Sequence, residues 1–152
     1  MEELFKVIKD FLLNQFNEIL LEYEDEKTKL PKLTEKQIVF GNIDPMKNTQ
    51  DVVVSILPET QETGEGTVSD EVTESVFTIT FVCRNALYDI LIKRMCRYAS
   101  AFKRIVTENY SLNNCVDNSE IGTVKFYSDV GIVDNTMTAS EFILNIYTSE
   151  EY

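Results

Sequence analysis

The chain has 152 residues, of which 43% are hydrophobic and 26% are charged, and its net charge is −12. This composition is that of a folded globular protein and excludes a disordered chain, while no apolar run reaches the roughly 20 residues that span a bilayer. The acidic balance argues against a protein that binds a nucleic-acid backbone, because such a protein needs a basic surface.

Three cysteines and a complete lack of histidine restrict the available chemistry. The odd cysteine number, without a C-x-x-C pair, predicts free thiols rather than a zinc site or a disulfide framework. Without histidine there is no Ser-His-Asp or Cys-His arrangement, which leaves only a carboxylate pair or a lysine as a catalytic group. Phosphate-binding glycine motifs, an EF-hand pattern and a signal-peptide core are also missing. We therefore expect an intracellular protein that is not an enzyme, with no catalytic residue, cofactor or metal site.

The first predicted element is an amphipathic helix over residues 2–23. Its apolar residues recur at the i, i+3, i+4 spacing that places them on one face, which predicts a helix packed on a sheet. A helix that also meets a neighbouring subunit is the alternative. The predicted core-facing residues are Leu4, Ile8, Phe11, Leu12, Phe16, Ile19 and Tyr23, and Leu13, Leu20 and Leu21 fall outside this tightest stripe and broaden the apolar surface.

Two strands are predicted next, at residues 37–40 and 51–57. The first is short and is followed by turn residues. The second is a near-continuous run of β-branched residues, which is typical of a central strand buried on both faces. Pro58 is predicted to end it.

Residues 58–74 are predicted to form an extended acidic loop between two strands. The segment carries six acids, two glycines and no basic residue, so it has too little apolar surface to be core. It is read either as a solvated hairpin tip or as an arm that orders against a partner, since long loops in compact domains are often functional. In the second reading the partner-binding residues are Glu59, Glu62, Glu65, Asp70, Glu71 and Glu74.

A strand at residues 75–83 is the clearest element of the chain, because large apolar residues alternate along it with threonine and valine. Phe77, Ile79 and Phe81 are predicted to lie in the core. The opposite, threonine-rich face is expected to be half-exposed or to lie against another chain.

A second long helix is predicted from an N-cap at Asn85 to Glu108, with a core stripe that starts at Leu87. Its other side carries five basic residues, including Lys103, which is unusual in so acidic a chain. This side is either a solvated surface that balances charge within the molecule or a surface that meets an acidic face of a like subunit. In the second reading the subunit-interface residues are Lys93, Arg94, Arg97 and Arg104.

A polar connection at residues 109–120 leads to two final strands, at 122–133 and 138–148, with a hairpin turn at Asp134-Asn135. The predicted fold is a single α+β domain over residues 1–152. It has one mainly antiparallel sheet with two long helices packed on it, in the order α-β-β-β-α-β-β.

Five segments, in a fixed order around the two helices, carry a resemblance to a known family. They are Val39-Phe40-Gly41, Val52-Val53-Val54-Ser55-Ile56-Leu57, Thr63-Gly64-Glu65, Phe77-Thr78-Ile79-Thr80-Phe81-Val82 and Phe142-Ile143-Leu144-Asn145-Ile146-Tyr147. In this pattern the chain resembles the tail terminator (tail completion) proteins of long-tailed bacteriophages, prophages and related tail-like particles. The resemblance extends over residues 2–150.

The resemblance implies a structural protein of virion assembly, a homo-oligomer that forms a hexameric ring at the head-proximal end of the tail. Such a ring stops tail-tube polymerisation and joins the tail to the head, so the implied partners are the tail-tube protein and the head–tail connector protein. It is assembled in the cytoplasm of the bacterial host and involves no membrane. DNA passes through the lumen without specific binding, in agreement with the net charge of −12.

Three alternatives stay open. The chain is otherwise another head–tail neck or adaptor protein, a small-molecule binding module with a pocket between sheet and helices, or a regulatory adaptor that binds one protein through the acidic loop. A small α+β fold does not choose among these roles.

Overall fold

A computed structural model describes residues 1–44, 49–65, 70–128 and 136–151, and for residues 65, 70, 150 and 151 it describes the backbone alone. The chain folds into one mixed five-stranded sheet with helices packed against one of its faces. The predicted α+β class is thereby confirmed. The elements are α1 Glu2–Phe11, β1 Ile38–Phe40, β2 Val52–Glu65, β3 Asp70–Cys83, α2 Tyr88–Glu108, β4 Asn118–Tyr127 and β5 Thr138–Glu151.

The strands lie in the order β1-β2-β3-β5-β4. β1 runs parallel to β2, and the other neighbouring pairs are antiparallel. The predicted order α-β-β-β-α-β-β leaves out a 3₁₀ turn at Glu35–Gln37 and the breaks in the first helical segment. Within the described residues, no helix is both long enough and apolar enough to cross a membrane.

The first helical segment does not keep one helical period. After α1 it continues as a π-helical turn at Leu12–Phe16, an α turn at Asn17–Ile19 and a 3₁₀ turn at Leu20–Glu22. A π turn inserts extra residues into the helix and so rotates the apolar face that follows it. Leu20 is therefore buried in the core, although the regular spacing predicted that it lies outside the stripe.

The core is centred on aromatic side chains between the helices and the sheet. Phe81 of β3 stacks on Tyr98 of α2 with 6.1 Å between ring centroids, and it meets Phe102 edge-on at 5.3 Å. Phe102 meets Phe142 of β5 at 4.9 Å, and Phe16 closes the cluster at 5.4 Å from Phe81. Such pairs contribute about 0.5–1.5 kcal/mol each beyond their buried area.

The predicted core residues of β3 are confirmed. Phe77, Ile79 and Phe81 are completely buried. On the other face of the strand, Val76, Thr80 and Val82 are half-exposed, whereas Thr78 is buried.

The prediction of an acidic loop at residues 58–74 is wrong, because most of this segment is strand. β2 does not end at Pro58 but runs to Glu65, and β3 already begins at Asp70. Beyond Ile56, β2 pairs only with β3 among the described residues. A proline is tolerated on such an edge, because the N–H that it lacks is not needed there.

The start of α2 also differs from the prediction. The helix begins at Tyr88, and Leu87, which was expected in the core, is 73% exposed. Asn85 does not cap the helix. It has a φ of +63°, and its side-chain amide donates to the carbonyl of Thr49 at 2.9 Å and to Asp51 Oδ1 at 3.1 Å.

β4 begins four residues earlier than predicted, at Asn118, inside the segment that was expected to be a polar connection. A bulge lies between Ile121 and Val124, where the register of β4 against β5 shifts. β4 ends at Tyr127, and the predicted turn at Asp134-Asn135 lies outside the described residues.

Candidate assembly surface

Three strand ends continue the sheet as an extension, which we call the acidic arm: residues 59–65 of β2, 70–76 of β3 and 145–151 of β5. β3 is its middle strand and is paired on both sides from Glu71 to Val76, while Asp70 is paired with β5. Along the β2 edge the residues from 59 to 64 are all exposed. The arm is therefore an ordered sheet that contributes little to the core.

The acidic arm places like charges opposite each other. None of its three segments contains a lysine or an arginine. Acids directly opposite one another on neighbouring strands destabilise a sheet. The arm therefore has an electrostatic cost that its own residues do not relieve. The opposed positions are Glu62 and Glu74, Glu65 and Glu71, Glu71 and Glu150, and Asp70 and Glu151.

Four of the six predicted partner-binding residues can be placed on this surface. The side chains of Glu59 and Glu62 are exposed, and those of Glu71 and Glu74 are half-exposed. Those of Glu65 and Asp70 lie outside the described part of the structure. Glu59 Oε1 accepts a hydrogen bond from Thr78 Oγ1 at 2.9 Å, so this acid also ties the base of the arm to the sheet.

Neutral side chains hold the inner face of the arm together. Gln61 Nε2 donates to Ser75 Oγ at 3.0 Å, and the hydroxyls of Thr63 and Thr73 lie 3.1 Å apart. These cross-strand pairs add to the backbone ladder. They let a strand of low apolar content keep its shape.

A tyrosine joins two carboxylates on the outer face. The Tyr147 phenol donates to Glu120 Oε1 at 2.9 Å and lies 3.4 Å from Glu74 Oε1. The hydrogen bond to Glu120, with smaller effects of burial and of the Glu74 charge, raises the pKa of Tyr147 to about 12. The phenol thus stays protonated and keeps β4, β5 and β3 connected at this point.

A cleft of about 760 Å³ separates the inner face of the arm from the first turn of α1. Glu2 and Glu3 lie on the helix side, and Glu71 lies on the arm side. The rest of the wall is formed mainly by hydroxyl and apolar side chains. The cleft is therefore acidic as well as open.

The predicted subunit-interface arginines contact their own chain. Arg97 binds Asp25 with 3.1 Å between guanidinium nitrogen and carboxylate oxygen. The backbone N–H of Thr28 and the side chain of Arg97 both lower the pKa of Asp25. The Asp25 carboxylate thus closes a turn at residues 25–28 and joins it to α2, so Arg97 has a role within the subunit.

Arg94 and Arg104 also contact their own chain. Arg94 Nε donates to the carbonyl of Lys29 at 2.9 Å. Arg104 contacts Glu22 at 3.3 Å and Glu108 at 3.0 Å. Carboxylates of the same molecule thereby balance much of the positive charge that was predicted for an interface. This arrangement corresponds to the alternative interpretation, a solvated helix face that balances charge within the molecule.

Two lysines of α2 differ from these arginines. Lys93 and Lys103 are exposed, and neither forms an ion pair with any described residue. Of the four predicted interface residues, Arg97 and Arg104 form ion pairs within their own subunit. Arg94 is held by a backbone carbonyl, and Lys93 forms no ion pair with a described residue.

The sequence did not reveal a surface next to Lys103. Val124 and Phe126 of β4 and Ala99 and Ser100 of α2 line a shallow groove of about 230 Å³ with Lys103 at its rim. We call it the α2–β4 groove. Phe126 is 53% exposed there. The alternation of Val124 and Phe126 indicated that both side chains lie on the helix side of the sheet. It did not indicate their exposure, which depends on how much of β4 is covered by α2.

Compared with known proteins, the chain matches no protein-family model and no curated protein sequence. Among the described residues, no group of three or more carboxylate, histidine or cysteine side chains is placed to hold a metal ion.

Proposed function

We propose that this protein is a structural assembly protein of the tail-terminator kind. In this proposal it closes into a hexameric ring at the head-proximal end of a phage tail, stops tail-tube polymerisation and joins the tail to the head connector. The tail-tube protein and the connector protein are then its partners. Another head–tail neck protein, which binds the connector alone, is the nearest alternative.

The acidic arm is the observation that carries the proposal. It is ordered by strand pairing on both sides of β3, yet its opposed acids work against its own stability. A contact that brings positive charge to the arm, from a neighbouring copy or a partner protein, relieves this cost. Such a contact favours association over the isolated subunit.

The charge of the molecule supports the same role. A net charge of −12 gives a negative potential over the surface. Acidic residues that face the lumen of a ring repel the DNA phosphates, so DNA passes without sticking. The net charge alone is equally suited to solubility, so it supports the proposal only together with the arm.

Native mass spectrometry of the purified protein, over a range of protein and salt concentrations, tests this proposal. We expect one discrete closed species of six copies, because a head-to-tail contact that closes produces a ring of fixed size. Electron microscopy of the same sample should show rings with a central hole. An open-ended ladder of sizes contradicts a closed ring.

A polymerisation assay separates the terminator from the neck alternative. Tail-tube protein of the same particle is polymerised with and without this protein, and tube lengths are measured. A terminator shortens the tubes and labels one end of each. A neck protein leaves the tube length unchanged and binds the isolated connector.

The cleft favours a second candidate from another class. Its volume of about 760 Å³ lies within the range of small-molecule sites, and its acidic lining suits a cationic ligand. A binding module is expected to show a rise in melting temperature with a cationic amine such as spermidine. Glu71→Gln should abolish that rise, whereas ring assembly without a thermal response excludes this candidate.

A further inference from the structure

The sheet has an apolar strip on the face that points away from the aromatic core. Strand alternation places Val76 on this outer face, because its neighbour Phe77 is buried in the core. The register of the sheet puts Leu57 and Ile143 on the same face, on either side of Thr78. Val76, Leu57 and Ile143 are half-exposed, so the described part of the chain covers this apolar strip only in part.

Acidic side chains dominate the charge of the outer face. Glu62, Glu74 and Glu120 lie on three different strands at one end of it, and the Tyr147 phenol joins the last two. Among the described strand residues of this face Lys125 is the only base, and it has a glutamate opposite it on β5. The outer face of another copy, a nucleic acid or an anionic membrane would be repelled. The surface that fits this face is therefore basic.

The chain itself carries a basic surface on α2. An exposed stripe runs along the side of this helix that is opposite its buried residues, at the spacing of three or four residues that keeps side chains on one helix face. We call it the α2 stripe. Its lysines form no ion pair with a described residue, and the side chains between them are small. The residues of the stripe are Lys93, Cys96, Ser100, Lys103 and Thr107.

The two lysines of the stripe and two carboxylates of the outer face have a similar spacing. Lys93 and Lys103 are about 15 Å apart along the axis of α2. Glu62 on β2 and Glu120 on β4 are separated by three strand spacings, which is about 14 Å across the sheet. A helix that lies across the outer face can therefore bring both lysines to a carboxylate at the same time.

We propose that the α2 stripe of one copy docks on the outer face of the next copy, with its two lysines against the carboxylates of Glu62 and Glu120. This inference rests on the proposed ring function and names its subunit contact. The lysines bring positive charge to the opposed acids Glu62 and Glu74, whose repulsion the acidic arm does not relieve with a base of its own. The small side chains of Cys96 and Ser100 let the helix approach the sheet closely.

The geometry of this contact produces a ring rather than a pair. The α2 stripe and the outer face lie on opposite sides of the sheet, so each copy offers one of each to its two neighbours. A contact between unlike surfaces repeats from copy to copy and ends only when the circle closes. A two-fold dimer through the outer face would instead place its acids against the same acids of the second copy.

Charge reversal on either side tests the contact. The stripe variant carries Lys93→Glu and Lys103→Glu, and the sheet variant carries Glu62→Lys and Glu120→Lys. Each variant places like charges at the contact, and we expect each to raise the concentration needed for assembly by about tenfold or more. All four positions are exposed, so both variants are expected to fold, which circular dichroism checks.

Mixing the two reversed variants gives the decisive result. The stripe of the first variant is then complementary to the outer face of the second, and the unchanged surfaces fit each other, so an equal mixture should form rings of alternating subunits. The matched control is the double variant Lys6→Glu with Lys36→Glu, which reverses two exposed lysines outside α2 and the strands. It should assemble like the wild type.

A thiol cross-link tests the contact independently of charge. Cys96 is exposed in the middle of the stripe, and Asn145 lies on the outer face between Val76 and Glu120 in the register. In a Cys115→Ala background, Asn145→Cys should let a short bismaleimide join neighbouring copies into covalent chains on a denaturing gel. Adding Cys96→Ala should remove these chains, and chains that persist without Cys96 contradict the contact.

The remaining outcomes each overturn the inference in a recognisable way. If the wild type forms rings and the reversed variants behave like the lysine control, the contact is wrong and the ring stands. If the reversals weaken assembly but the mixture does not recover, the two surfaces do not meet. If only the sheet variant loses binding of the tail-tube protein, the outer face serves that partner instead of a second copy. A wild type that stays monomeric at all concentrations and binds no tube end removes the ring and this contact together.

Discussion

Asn17 holds both backbone groups of Leu33. Its Oδ1 accepts the N–H of Leu33 at 2.8 Å, and its Nδ2 donates to the carbonyl of Leu33 at 2.8 Å and to that of Leu13 at 3.0 Å. The side chain is buried, so these bonds form away from water. They fix the connection that precedes β1 to the first helical segment, directly after its π-helical turn.

Asn17→Ala should lower the free energy of unfolding by about 1–3 kcal/mol, because it leaves the buried N–H and carbonyl of Leu33 without partners. Urea denaturation followed by circular dichroism measures the change. Asn14→Ala is the matched control, since Asn14 makes one exposed bond to the carbonyl of Asp10, and it should change the stability by less than about 0.5 kcal/mol. Equal effects of the two substitutions would show that the bonds to Leu33 contribute no more to the free energy of unfolding than an exposed bond does.

Removing an opposed acid should stabilise the isolated subunit. Glu62→Thr removes one of the two like charges at the Glu62 and Glu74 positions. We expect the free energy of unfolding to rise by about 0.2–1 kcal/mol at low salt. The gain should shrink at high salt, where the repulsion is screened. Glu26→Thr removes an exposed acid outside the arm and serves as the control. A loss of stability in Glu62→Thr would mean that the repulsion is already relieved in the subunit.

The three thiols should differ in reactivity. Cys96 and Cys115 are exposed, whereas Cys83 is buried, and burial raises the pKa of the Cys83 thiol to about 12. Because the thiolate is the reacting form, Ellman's reagent should titrate two thiols rapidly in the native monomer and the third only in denaturant. Cys83→Ala should leave the rapid phase unchanged. Three rapid thiols would contradict the burial of Cys83.

Tyr147 should titrate above an ordinary tyrosine. Its folded pKa of about 12 exceeds the value of about 10 for an exposed tyrosine. Since the folded pKa is raised, its stabilising contribution is complete below pH 10 and is lost between about pH 10 and 12 as the phenol ionises. Absorbance at 295 nm, taken as the difference between wild type and Tyr147→Phe, should show the high midpoint. Glu120→Gln should lower that midpoint, and an unchanged midpoint would remove Glu120 as its cause.

A charge swap separates the two readings of Arg97. The double variant Arg97→Glu with Asp25→Arg restores an ion pair inside the subunit but reverses the charge that Arg97 offers to a neighbour. If Arg97 serves its own chain, as its 3.1 Å contact with Asp25 indicates, the double variant should assemble like the wild type. Native mass spectrometry measures this, and failed assembly of a folded double variant would return Arg97 to the subunit interface.

Local patterns predicted the parts of the fold that depend on local spacing. The alternation around Ile79 identified both a strand and its buried face, because the period of a strand is a property of neighbouring residues. The capping box at Thr34 and Gln37 was equally visible as T-x-x-Q and was missed. It places Gln37 so that its amide reaches the carbonyl of Val52 at 3.0 Å.

The arm and the charge pairs could not be predicted in this way, because their partners are distant in sequence. Val72 and its neighbours are held in a strand by pairing with residues near Ser149, and composition alone gave the impression of a loop. Arg97 finds its partner 72 residues away at Asp25. The helical period predicted which residues of the segment 2–23 are buried up to the π turn. The π turn itself has no recognisable pattern in the sequence.

β3 links the arm to the core without an interruption. The same 14-residue strand carries Glu71 and Glu74 at one end and the buried rings of Phe77 and Phe81 further along. A continuous, twisted and doubly paired strand bends far less readily than a loop. The arm therefore behaves as a stiff lever anchored in the aromatic core, and the direction in which it points is fixed when the subunit folds. A partner that binds the arm therefore finds it in a fixed orientation, and a force applied to the arm is transmitted to the core.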